Sequence, residues 1–118
     1  MYKNQQIGKF GEDEAVKYLI KKGYKILDRN FECSQGEIDI IALDKKEVVF
    51  IEVKTRTNIS FGEPAEAVNY YKAKHLLSSI EYYIYKRNLM EEFIRIDIIE
   101  VYVKNNSIRI NQIKNAIQ

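Results

Sequence analysis

Apolar and polar positions follow two different periods along the chain, and the changes of period divide it into elements. From about Gln5 to Lys22 the pattern is helical: Val16 and Leu19 share a stripe, flanked by Ala15 and Ile20, and Glu12 falls on it one turn earlier. Gly23 suits the left-handed position just past a helix end. Tyr24 to Glu32 reads as a strand, and Ser34-Gln35-Gly36 as a turn. Between Gly36 and Arg56, two runs rich in Ile and Val flank Asp44-Lys45-Lys46-Glu47, which predicts an antiparallel hairpin. Thr57 to Glu63 reads as a loop, and Pro64 opens a second helix that runs to about Arg87. Its apolar side is Val68, Tyr71, Leu76, Ile80, Tyr83 and Ile84, and its basic side Lys72, Lys74, Lys86 and Arg87. Phe93 to Val103 alternates as a strand, and Lys104-Asn105-Asn106-Ser107 turns it into a short edge strand from Ile108 to Ile110. The order is helix, three strands, helix, two strands: an α/β sandwich whose mixed central sheet is covered by helices.

The hairpin carries the chemistry. A turn centred between Lys45 and Lys46 pairs Asp44 with Glu47 and, further back, Asp39 with Glu52 and Glu37 with Lys54. Alternation then gathers Ile38, Ile40, Ala42, Val49, Ile51 and Val53 on one wholly apolar face. The opposite face holds Ile41, Leu43, Val48 and Phe50 near the turn, and Glu37, Asp39, Glu52 and Lys54 at the far end. Facing carboxylates about 5 Å apart repel by roughly 3 kcal/mol at an effective dielectric near 20. An ion pair with Lys54 returns about 1 kcal/mol at best. A divalent cation between the acids removes the repulsion, and hard carboxylate oxygens suit Mg²⁺ or Mn²⁺.

At 118 residues the chain fits one domain, 1–118, with a real core. A net charge of +2 does not by itself announce a nucleic-acid binder. The lone Cys33 makes no internal disulfide, which fits a reducing cytoplasm, and no Cys/His cluster offers a zinc site. No apolar run approaches membrane-spanning length, so a soluble protein is expected.

The linked strings Gly36-Glu37-Ile38-Asp39-Ile40-Ile41-Ala42, Phe50-Ile51-Glu52-Val53-Lys54-Thr55-Arg56 and Phe61-Gly62-Glu63-Pro64-Ala65-Glu66-Ala67-Val68 resemble the small bacterial YraN family of predicted endonucleases. That family is similar to archaeal Holliday-junction resolvases and belongs to the PD-(D/E)xK nuclease superfamily. The resemblance runs from about Gly8 to Val103 and departs from the pattern where Ile38, and not Pro, precedes Asp39. It implies a restriction-endonuclease-like core and metal-dependent hydrolysis of phosphodiester bonds in DNA, branched or single-stranded. On it, Asp39 and Glu52 look like metal-binding catalytic acids, Glu12 like the helix acid that completes the metal shell, and Lys54 like the group that activates the attacking water.

Each residue also has a plainer account. Glu12 suits a first-turn acid complementing the helix dipole. The four site residues together suit a structural ionic cluster. Glu37 can contact a metal-bound water or pair with Lys54 across the strands, the pairing being preferred; Thr55 is expected to be structural, and Arg56 to return to the site face, where it can hold a phosphate. Lys74 and Glu66 lie on the second helix, where the resemblance implies site-facing polar groups and a solvated face explains both. His75 is expected on the helix surface or in the core, and the tyrosines of the second helix in the core or an interface. Besides a nuclease, the sequence allows a nucleic-acid-binding module that does not cut, or cuts only with a partner or as a dimer, since the modest charge leaves little basic surface for a duplex.

Overall fold

The computed structural model describes residues 4–57 and 70–116, with the side chains of 4, 5 and 70–72 also outside the description. The elements run α1 (Asn4–Lys21), β1 (Lys25–Cys33), β2 (Gly36–Asp44), β3 (Glu47–Thr57), α2 (Tyr70–Arg87), β4 (Phe93–Lys104) and β5 (Ser107–Ile113). This is the order the sequence predicts. The expected helix start at Pro64 and the loop beyond Thr57 lie outside the described residues.

The strands form one sheet in sequence order. β3 and β4 pair in parallel, and the other neighbours are antiparallel. A parallel pair needs a crossover, and α2 provides it on one face while α1 covers the other. Two cores result. Ala15, Leu19 and Tyr24 pack on Ile40, Ala42, Val49, Ile51, Ile99 and Val101. Leu76, Ile80 and Tyr83 pack on Ile38, Ile41, Val48, Phe50 and Ile96. Ile20, expected on the apolar stripe, is 57% exposed, because Ala15 and Leu19 already fill the contact with the sheet.

α1 stops at Gly23, whose φ of 94° lets the Tyr24 N–H reach back to the Leu19 carbonyl at 2.9 Å. α2 ends the same way with Asn88 in place of glycine, at φ 60°. Among the described residues, no helix is long and apolar enough to cross a membrane.

β5 is longer than the sequence suggests because its polar residues have buried partners. Asn111 Nδ2 donates to Glu100 Oε1 at 2.9 Å, and Gln112 Nε2 to Asp97 Oδ2 at 2.9 Å. Asp97 belongs to a second ionic cluster at the turn end of the hairpin. There Arg95, 6% exposed, donates to Asp97, Asp44, Glu47 and the Tyr24 hydroxyl.

Candidate metal centre and active site

β2 changes faces at Asp39. Ile40 is buried against α1 and Ile38 against α2, although two residues apart on a regular strand share a face. The expected placement of Ile38 on the same face as Ile40 is therefore corrected. The hairpin ladder follows the predicted register from Asp44↔Glu47 to Ile40↔Ile51, the last pair recorded between these strands. The direct pairs Asp39–Glu52 and Glu37–Lys54 are not part of it. Instead, the Asp39 carboxylate reaches across, and its Oδ2 accepts the Val53 backbone N–H at 2.8 Å.

At this crossing Asp39 meets an acid from its own strand and one from α1. One carboxylate oxygen each from Glu12, Glu37 and Asp39 lie within 4.8 Å of one another. Glu12 arrives because α1 rests directly on β3: a Cβ added to Gly11 would lie 1.8 Å from Thr55 Oγ1. That contact gives Thr55 the structural role expected of it. Glu12 stands well inside α1, whose first turn holds no acid, so the helix-dipole account fails. Across the strands, Asn30 sits between the pairs Arg29↔Ile40 and Phe31↔Ile38 with φ at 51°, a conformation asparagine tolerates.

The acids pay electrostatically for this arrangement. Burial pushes the Asp39 carboxyl from 3.8 up to about 7, with the charges of Glu12, Glu37 and Glu52 adding to the rise and the Val53 N–H opposing it. Burial and then Glu37 raise Glu12 as well, against Arg29 and an Asn30 side-chain hydrogen bond. Three hard oxygen donors with repulsion left uncompensated are a chemical fit for a divalent cation.

On the α2 side, Glu37, Asp39, Glu52, His75 and Leu76 line one pocket. Glu52 thus shares a cavity with Asp39, although the closest trio contains Glu37 in its place. Glu37, expected to pair with Lys54, makes no ion pair with it among the described residues; it turns to the acids instead. Lys54 is two residues along β3 from Glu52 on the same face and pairs in parallel register with Glu100. Arg56 on that face lies 3.7 Å from buried Glu100. Lys74 is exposed on α2, and Glu66 lies outside the described residues.

His75 lies on the surface of α2, one of the places expected for it, and also lines the pocket, which the sequence did not indicate. Its Nδ1 lies 3.1 Å from the Gln35 carbonyl, an acceptor to which a protonated Nδ1 donates. Gly36, at φ 148°, makes room for this: a Cβ there would stand 3.2 Å from Ser79 Oγ and 3.8 Å from His75 Cβ. A turn glycine followed by an acid was the available signal, but only the docking of α2 relates it to His75.

Residues 11–101 match the sequence profile of Uncharacterised protein family UPF0102. The chain belongs to that family. A UPF0102 protein of Clostridioides difficile is 50% identical over 113 residues, covering 96% of this chain and 97% of its own. One from Caldicellulosiruptor bescii is 47% identical over 115 residues, covering 95% and 97%. UPF0102 is the YraN family, a predicted nuclease-like group. Among solved structures, the crystal structure of SSO0001 aligns with 94% of this chain and 52% of its own at 17% identity and TM-score 0.35, a likeness too slight to build on.

Proposed function

We propose that this UPF0102 protein is a divalent-metal-dependent endonuclease, one nuclease-like domain that hydrolyses phosphodiester bonds in DNA. The observation that supports this most is the convergence of Glu12, Glu37 and Asp39, with oxygens within 4.8 Å, beside Glu52 in a pocket open to solvent. Asp39 and Glu12, joined by Glu37 or Glu52, would hold Mg²⁺ or Mn²⁺. The ion, when bound, supplies Lewis-acid polarisation of the phosphate and a lowered pKa for water. Lys54, beside Glu52 on β3, orients the attacking water and steadies charge on the phosphorus. Water adds to phosphorus, one P–O ester bond breaks, and the leaving oxygen takes up a proton.

A second reading is a binding module that cuts only with a partner or as a homodimer. The net charge of +2 favours it, since a small monomer has little basic surface to spare. One assay separates the two. Labelled single-stranded, duplex, flapped and four-way-junction DNA are incubated with Mg²⁺ or Mn²⁺, and with chelator. Metal-dependent cutting that Lys54→Ala abolishes, while Mn²⁺ still raises that variant's melting temperature, supports the nuclease. Binding without cutting on every substrate would support the module.

A further inference from the structure

We propose that the cleft between α1 and β1 holds the sugar–phosphate backbone of the DNA strand next to the phosphate being cut. This rests on the nuclease reading above and adds to it a binding site on the opposite side of the acids from His75. The cleft is lined by Gly8, Lys9, Glu12, Asp13, Arg29 and Asn30, so it shares Glu12 with the acidic trio. A strand whose phosphate lies at the acids therefore runs directly into it.

Its lining suits a backbone and not a base. Among the described residues no aromatic ring lines it, so they offer no surface on which a base can stack. Lys9 is exposed on α1, and Arg29 is anchored by Asp13 at 2.7 Å, which fixes its guanidinium beside the cleft. Asn30 adds an amide at the same cleft as Glu12. Such groups contact phosphate and sugar without reading sequence. Gly8 leaves its part of the wall bare, since a Cβ there would meet nothing within 4 Å. A glycine inside a helix costs stability, and here it keeps the way clear for a strand.

Charge makes the site conditional. Lys9 and Arg29 are balanced one for one by Glu12 and Asp13, so the cleft alone does not attract phosphate. The adjoining Glu37 and Asp39 add two more negative charges that repel phosphate, and a divalent ion held on the acids offsets them. DNA held in this cleft should therefore bind tightly only when metal is present.

The test uses short fluorescent oligonucleotides, single-stranded and duplex, in several sequences. Binding is followed by anisotropy with Mn²⁺ or with chelator, in a Lys54→Ala background so that the strand stays whole. Lys9→Glu should weaken binding about tenfold for every sequence, and Lys9→Gln should flatten the salt dependence by about 0.7 to 0.9 in log–log slope. Gly8→Leu should weaken binding severalfold while melting no lower than the parent, because leucine favours the helix and its Cβ would meet nothing within 4 Å. Both variants should keep the Mn²⁺-induced rise in melting temperature. Full DNA affinity in Lys9→Glu and Gly8→Leu, or equal affinity with and without Mn²⁺, overturns the cleft while leaving the metal centre standing. Absence of the Mn²⁺ shift in the parent removes the metal centre, and the cleft with it.

Discussion

Gly11 and Thr55 meet with no space for a side chain between them, a Cβ on Gly11 falling 1.8 Å from Thr55 Oγ1 and 2.9 Å from its Cβ. This contact sets the height of α1 above β3 and thereby delivers Glu12 to Asp39. Gly11→Ala should lower stability by about 1–3 kcal/mol through overpacking. It should also weaken the Mn²⁺-induced rise in melting temperature, because α1 must move away from the sheet. Gly8→Ala, in the same helix with open space around it, should do neither. Thermal melts of both variants with and without Mn²⁺ check this, and equal behaviour would refute the contact's role.

The Asp39 carboxyl gives the metal-free protein a pH dependence. Its value in the fold, about 7, exceeds the ordinary 3.8, so the folded chain binds a proton that the unfolded chain releases between those values. Stability should accordingly fall as pH rises from about 4 to 7, the loss being complete above that. The whole shift corresponds to about 4 kcal/mol, an upper limit that solvent at a half-buried group reduces. Asp39→Asn should remove most of the slope, and saturating Mn²⁺ should flatten it in the parent. Urea denaturation from pH 4 to 8 in chelator gives the slope; a flat parent curve would contradict it.

Glu37 and Glu52 can be told apart as metal ligands. Glu37 is the acid whose oxygen lies with those of Glu12 and Asp39 within 4.8 Å, whereas Glu52 shares only the pocket. Glu37→Gln should therefore weaken Mn²⁺ binding at least as much as Glu52→Gln, by about tenfold or more, the scale on which even outer-shell changes act. Isothermal titration with Mn²⁺ measures both; near-native affinity in Glu37→Gln alongside loss in Glu52→Gln would restore the ligand set expected from the sequence.

At the other end of the hairpin, Arg95 is buried among Asp97, Asp44 and Glu47, and Asp97 has no exposed surface. Arg95→Ala should cost about 3–5 kcal/mol, because it leaves the Asp97 charge buried without its cation. Arg87→Ala, which breaks an exposed pair with Asp28, should cost about 1 kcal/mol or less. Equal losses in denaturant titrations would mean that the Arg95 cluster is not structural.

The contrast between these clusters explains what the sequence made legible. The hairpin turn, its register near the turn and the order of elements follow from local periodicity, which a single strand already expresses. The change of faces at Asp39 does not, because it arises where the β2–β3 ladder ends and two helices compete for Ile38 and Ile40. The helical period showed Glu12 one turn before Val16, but that alone suited a helix-dipole acid, and only the family resemblance implied a place for it beside Asp39. His75 in the pocket and Glu37 as one of the closest acids were not legible, since α2 and the Gln35 carbonyl meet only in the folded chain. Nothing in the alternation of Phe93 to Val103 singled out Arg95, Asp97 and Glu100, but β4 lies between β3 and β5. Arg95 and Asp97 lie on the side beneath α1, and Glu100 on the other, so all three are buried.

The three acids near the crossing come from separate parts of the chain. Glu37 and Asp39 belong to a hairpin that closes over a few residues, whereas Glu12 comes only when α1 settles on the far side of the sheet. An ion gripped by all three would act as a rivet between the first helix and the sheet, so that lifting the helix and releasing the ion would become a single event.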